Sequence, residues 1–244
     1  MPNPIVELVE KEMESFRTFR GENPSIFPNQ DNLYPIPFFG DLRRAEVLTL
    51  ALNPAWPEFR RGGNHERYWI PGLDACSLTT RLLHYFDLPV PAPHRFFEDL
   101  RRGLEILDCS YETNVAHIDQ HPFPTKFRNV LGQTQREIIG GWIESDSRGH
   151  LKEVLKIAPK TTLILVVDYT FSMPGGDSMQ TFDFVESQQS GLSNCICEHG
   201  SRPPIFRAGG SNQFEARIGQ CADLLQEYLC NPSPLRLCLF APSR

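Results

Sequence analysis

The run Ala45-Glu-Val-Leu-Thr-Leu-Ala-Leu52 is apolar at nearly every position and stops abruptly at Asn53-Pro54. An unbroken apolar run, rather than an alternating one, is what a central parallel strand covered on both faces requires. Thr161-Thr-Leu-Ile-Leu-Val-Val167 repeats the pattern more strongly. Weaker strand patterns fall over 113–120 and 204–207. The 3.6-residue spacing predicts helices between them. One covers 4–20, with Ile5, Leu8, Val9 and Met13 on one stripe and Gly21 as its stop. Others cover 77–87 and 93–107, two lie within 133–158 parted near Asp146-Ser147-Arg148-Gly149, and a last one covers 212–230. The polar stretch 172–202 reads as loops with one short helix. Strands parted by helices predict a three-layer α/β/α fold around a central, mostly parallel four-stranded sheet, with residues 1–244 forming one domain.

Such a sheet binds ligands in the crevice beyond the carboxyl ends of its strands. Asn53 follows the first strand, Asp119 to His121 the second, Asp168 and Tyr169 the third, and Gly209-Gly210-Ser211 the fourth. That convergence makes this edge the first place to look for chemistry.

Bulk features narrow the function classes. With 40% hydrophobic residues the chain can bury a core without disulfides or a structural metal. Seven cysteines, an odd count with no C-x-x-C spacing, argue against a secreted disulfide framework and against a zinc or iron–sulfur site. The acidic start of the chain (Glu7, Glu10, Glu12, Glu14) is unlike a signal peptide, and no apolar run approaches the ~20 residues a membrane span needs. These features predict a cytoplasmic, monomeric protein with no membrane partner and no cofactor. The formal net charge of −6 does not advertise a polyanion binder, although Arg60, Arg61 and Arg67 follow the first strand and Arg202 and Arg207 flank the last.

The segment Val47-Leu-Thr-Leu-Ala-Leu-Asn-Pro-Ala-Trp-Pro-Glu-Phe59 resembles the first motif of the uracil-DNA glycosylase superfamily. There a strand ending in glycine or another small residue runs into an Asp-Pro or Asn-Pro turn, and the mismatch-specific and single-strand-selective branches carry Asn. The match is Ala51-Leu52-Asn53-Pro54-Ala55, with Ala51 where that family commonly has Gly. Tyr111-Glu-Thr-Asn114-Val-Ala-His is similar to the strand on which the superfamily carries a pyrimidine-reading Asn after Thr. The second motif departs: Arg207-Ala-Gly-Gly-Ser-Asn212 has neither the His nor the Pro of the family's loop before the last helix. In uracil-specific branches that His stabilises charge on the leaving base; mismatch-specific members lack it.

The resemblance implies a DNA-base glycosylase acting on uracil or a related deaminated or mismatched base. Such an enzyme must extrude its nucleotide before cleaving the glycosidic bond. Asn53 would position the water, between Ala51, Leu52 and Pro54. Phe59 would stack on the flipped base, with Tyr68 and Trp69 behind it. Asn114 would read the base edge through an amide that both donates and accepts; its alternative role is satisfying backbone groups at a strand start. DNA would be the partner, its phosphates met by Arg60, Arg61 and Arg207 and approached by the amides of Gly209, Gly210 and Ser211.

Two rival readings stand beside it. A non-catalytic relative could use the same fold to bind a nucleic acid, a base or a protein. A metal-dependent hydrolase could use His117 and Asp119, since His117, Asp119 and His121 share one face of an extended strand. A strand rises about 3.3 Å per residue, so His117 and His121 reach one metal only if the chain bends near Pro122.

Overall fold

The computed structural model describes residues 3–27, 33–54, 72–87, 95–124, 133–167, 170–172, 178–180 and 205–231. Helix α1 (Pro4–Glu22) is started by Asn3, whose Oδ1 accepts from the Ile5 N–H at 3.1 Å, and by Pro4, whose missing N–H costs nothing in a first turn. It runs past Gly21. The stop is Asn23, whose backbone and side-chain N–H groups both donate to the Phe19 carbonyl. The stripe Ile5, Leu8, Val9, Phe16 and Phe19 is buried, and Glu12 is buried within it.

Strand β1 (Val47–Ala51) is buried at every residue, as is β3 (Leu163–Val167). Helices α2 (Ala75–Leu83) and α3 (Arg95–Ile106) lead from β1 to β2 (Val115–Asp119). Asp74 caps α2, accepting from the Ser77 N–H at 2.7 Å. Helix α4 (Gln133–Ile157) is one unbroken helix, not the expected two. Trp142 packs on Phe123 and His121, and His150 bonds to Glu12 and to the Pro37 carbonyl. Pinning on both sides of Gly149 outweighs the roughly 1 kcal/mol that a helical glycine costs.

Strands β4 (Thr170–Ser172) and β5 (Ser178–Gln180) pair antiparallel, where the sequence suggested loops. After β6 (Ile205–Gly209), a 3₁₀ turn at Ser211–Gln213 leads into α5 (Phe214–Gln220) and α6 (Ala222–Cys230). The expected single last helix is therefore interrupted at Cys221. Among the described residues no helix is long and apolar enough to cross a membrane.

The sheet is wholly parallel, in the order β2-β1-β3-β6. This is the expected three-layer α/β/α architecture. Right-handed crossovers put the β1–β2 connection, with α3, on one face and the β2–β3 connection, with α4, on the other. α1 joins the α4 face through Glu12 and His150, and α5 joins α3. The crossover direction reverses between β1 and β3, and sheets of this kind hold ligands beyond the carboxyl ends of the strands at such a reversal.

Gly103 sets how closely α3 meets α5. A Cβ there would lie 2.5 Å from the Phe214 ring and 3.3 Å from the Glu215 Cα. Phe214 is fully buried and has no room to retreat. Gly103→Ala is therefore expected to lower stability by about 1–3 kcal/mol despite its better helix propensity. Urea unfolding would check this; an unchanged or higher midpoint would mean that α5 shifts freely.

Candidate functional site

β1 delivers its exit loop to the reversal point. Ala51, Leu52 and Pro54 are buried, while Asn53 is half-buried and its Nδ2 donates to the Pro54 carbonyl at 3.2 Å. The chain here does not simply leave the sheet. Gln120 N–H donates to the Ala51 carbonyl and His121 N–H to the Leu52 carbonyl, both at 2.9 Å. Pairing with the β2 side thus continues past both strands, and the backbone beside Asn53 is held in place.

The neighbouring residues on β2 are polar and buried. In parallel pairing Thr49 lies beside His117 and Ala51 beside Asp119, so all four side chains share one face. Tyr111 Oη lies 2.9 Å from Thr49 Oγ1, which lies 2.8 Å from His117 Nδ1. His117 Nε2 is 3.5 Å from Asp119 Oδ1. Burial, opposed by the hydrogen bond with Thr49, pushes the Tyr111 phenol well above its ordinary range, so it stays neutral.

Gln120 and His121 are the other two. Gln120 is buried, and its Oε1 has no hydrogen-bond partner. His121 is fully buried among Phe19, Phe123 and Trp142. Burial drives its pKa down to about 3, against the Phe123 carbonyl, which favours the protonated ring, and with nearby His150 adding to the decrease. The neutral ring donates from Nδ1 to the Phe123 carbonyl at 3.1 Å, leaving Nε2 as a buried acceptor with no partner.

Asn114 is not part of this site. It precedes Val115, the partner of Val47, and so sits at the amino edge of the sheet, opposite Asn53. Its Oδ1 accepts from the Ser110 N–H and the Thr113 hydroxyl, both at 3.1 Å, and its Nδ2 donates to Glu46 Oε2 at 3.0 Å. The amide is spent on organising the turn before β2, so the two asparagines cannot serve one bound base. The adjacent Cys109 thiol, pushed up to about 11 chiefly by burial, is inert filler. Asn114→Ala is expected to cost about 1–2 kcal/mol of stability through the broken turn and to leave any base preference unchanged. Denaturation combined with the excision assay below would test both halves.

The shared-face metal reading also needs correction. β2 ends at Asp119, and the chain bends at Gln120 and His121. The His117 ring packs among Phe39, Phe96 and Phe97, whereas the His121 ring packs among Phe19, Phe123 and Trp142, in a separate aromatic cluster. Among the described residues no group of three or more His, Cys, Asp or Glu is placed to hold a metal ion.

At the far end of the same edge, Gly209 closes β6 with φ of +73°, a conformation that favours glycine, and Gly210 caps the following 3₁₀ turn. Arg207, beside Val166, and Ser211 are half-buried. Two strand spacings, roughly 10 Å, separate this loop from β1, within the span of a nucleotide-sized ligand. Phe59, Arg60, Arg61 and Trp69 lie outside the described residues, as do Arg67, Tyr68, Asp168, Tyr169 and Arg202. The sequence pattern named Asp119 to His121 as edge residues, but the unpartnered oxygen of Gln120 becomes visible only in three dimensions.

No protein-family model matches this chain, and no curated protein matches it.

Proposed function

We propose that the carboxyl edge of this sheet is the active site of a DNA-base N-glycosylase acting on a flipped nucleotide. The observation that carries the reading is the position of Asn53, half-buried on a backbone-anchored loop at the β1/β3 reversal point. Asn53 orients the attacking water beneath the sugar, which becomes electron-poor as the glycosidic bond breaks. Gln120 replaces Asn114 as the base-reading amide. A base N–H or exocyclic amine satisfies its buried Oε1, so a ligand lacking that donor leaves the oxygen stranded at a cost of about 1–3 kcal/mol. The Gly209-Gly210-Ser211 loop and Arg207 approach the DNA backbone. No cofactor enters this scheme.

The test is abasic-site formation on oligonucleotides carrying uracil, hypoxanthine, xanthine or a G·T mismatch, at low salt. Excision by the wild-type protein establishes the activity and names the base. A folded sample that excises none of them removes the reading. One observation favours a second reading: the neutral Asn53 side chain is too weak a base to take a proton from water, so the protein is also suited to holding a base or nucleic acid without cleaving it. In that case the same oligonucleotides bind but are not cut.

A further inference from the structure

We propose that Asp119 is a catalytic carboxylate of this crevice, held in place by His117 and, behind it, by Thr49 and Tyr111. The inference rests on the crevice being the hydrolytic site proposed above. It starts from an electrostatic gap: Asn53 can orient a water but is too weak a base to take its proton, and its neutral amide does little for a positively charged sugar.

The carboxylate nearest along the sheet is Asp119. It is the last residue of β2, paired with Ala51, two residues before Asn53. Strand spacing places its Cα roughly 8 Å from that of Asn53, so the two side chains can meet at one water. Asp119 is only 2% exposed, and burying a carboxylate is expensive unless it is compensated. The compensation here is a side-chain network. Tyr111 Oη, Thr49 Oγ1 and His117 Nδ1 form one hydrogen-bonded run, and when the Thr49 hydroxyl donates to Nδ1 rather than to the Ala116 carbonyl the ring carries its proton on Nε2, facing Asp119. The last separation, 3.5 Å, is longer than an ordinary hydrogen bond, so the ring lies beside the carboxylate and leaves it accepting capacity for a water. Catalytic contacts of this kind are often loose before substrate binds.

In the reaction the water oxygen bonds to the anomeric carbon as the carbon–nitrogen bond breaks. The bonding pair leaves with the base, the proton of the water passes to Asp119, and the departing base takes a proton from solvent. Asp119 touches the reacting water. His117, Thr49 and Tyr111 are positioning residues.

The test compares Asp119→Asn, Asn53→Ala and the wild type under single-turnover conditions, with unfolding midpoints recorded for each. Asp119→Asn is expected to lower the excision rate by about 100-fold or more at unchanged oligonucleotide affinity. Asp119→Ala is expected to regain part of its rate when formate is added, which a merely structural carboxylate would not do. Thr49→Val, which breaks the chain away from the crevice, is expected to lower the rate a few-fold without altering affinity. A folded Asp119→Asn that excises within threefold of wild type, while Asn53→Ala is dead, overturns the role of Asp119 alone. Excision that survives Asn53→Ala overturns the crevice itself as the active site, and a wild type with no excision overturns both.

Discussion

His150→Ala is expected to lower stability by about 3–5 kcal/mol, the usual cost of removing one partner from a buried pair. His150 and Glu12 are both 2% exposed. His150 Nδ1 lies 3.0 Å from Glu12 Oε1, and Nε2 donates to the Pro37 carbonyl at 3.1 Å. With Nε2 committed to a carbonyl, Nδ1 is the ring atom that meets the buried Glu12 carboxyl group. Glu12 Oε2 already lacks a hydrogen-bond partner, so without His150 the whole carboxyl group stands alone in the core. The same ring ties α1 and α4 to the segment before β1, so three pieces of chain loosen together. For a chain of this size the melting temperature falls by about 10 °C. Replacing both residues with leucine should recover most of the loss, because an apolar pair of similar volume needs no compensation. A single variant that melts within 2 °C of wild type would mean that water or a local shift satisfies Glu12.

Asn53→Ala carries the other large effect, a loss of about 100- to 1,000-fold in excision, the size seen when one polar group that orients the transition state is removed. Stability should change by less than about 1 kcal/mol, the usual range for a side chain that is not part of the packed core. That split between activity and stability is the informative part. A parallel fall in both would mark Asn53 as a loop anchor. Asn53→Asp should retain excision or increase it, because a carboxylate both orders water and accepts its proton. Abasic-site yields from the three proteins, alongside their thermal melts, decide the matter.

The sheet was legible because β1 and β3 are apolar on both faces, a pattern that few alternatives satisfy. β2 was legible as a strand, but a misplaced base-reading residue followed from the motif before it. Asn114 lies one residue ahead of the strand, and in a parallel sheet that puts it on the wrong edge. Helix continuity was harder to read. Asp146 to Gly149 looks like a break by local preference, yet α4 runs through it, with His150 tied to Glu12 and to the Pro37 carbonyl and Trp142 packed on the 121–123 turn. Conversely, Cys221 offers no local stop signal, yet the last helix ends and restarts there. Glu12 looked like an ordinary surface residue of an amphipathic helix. What makes it internal is a histidine 138 residues away, and no local window contains that information. The same limit hid the unpartnered oxygen of Gln120.

The strand order has a consequence for synthesis. β1 lies inside the sheet, yet it leaves the ribosome before either of its neighbours. Its β2 partners follow 68 residues later and its β3 partners about 116 residues later. During that interval the nascent chain carries a strand apolar at every position but Thr49, with both edges open, the condition under which chains recruit one another. A chain stalled before residue 163 keeps one of those edges permanently. Folding yield in the cell should therefore depend on how well the Val47–Ala51 stretch is shielded while the ribosome completes β3.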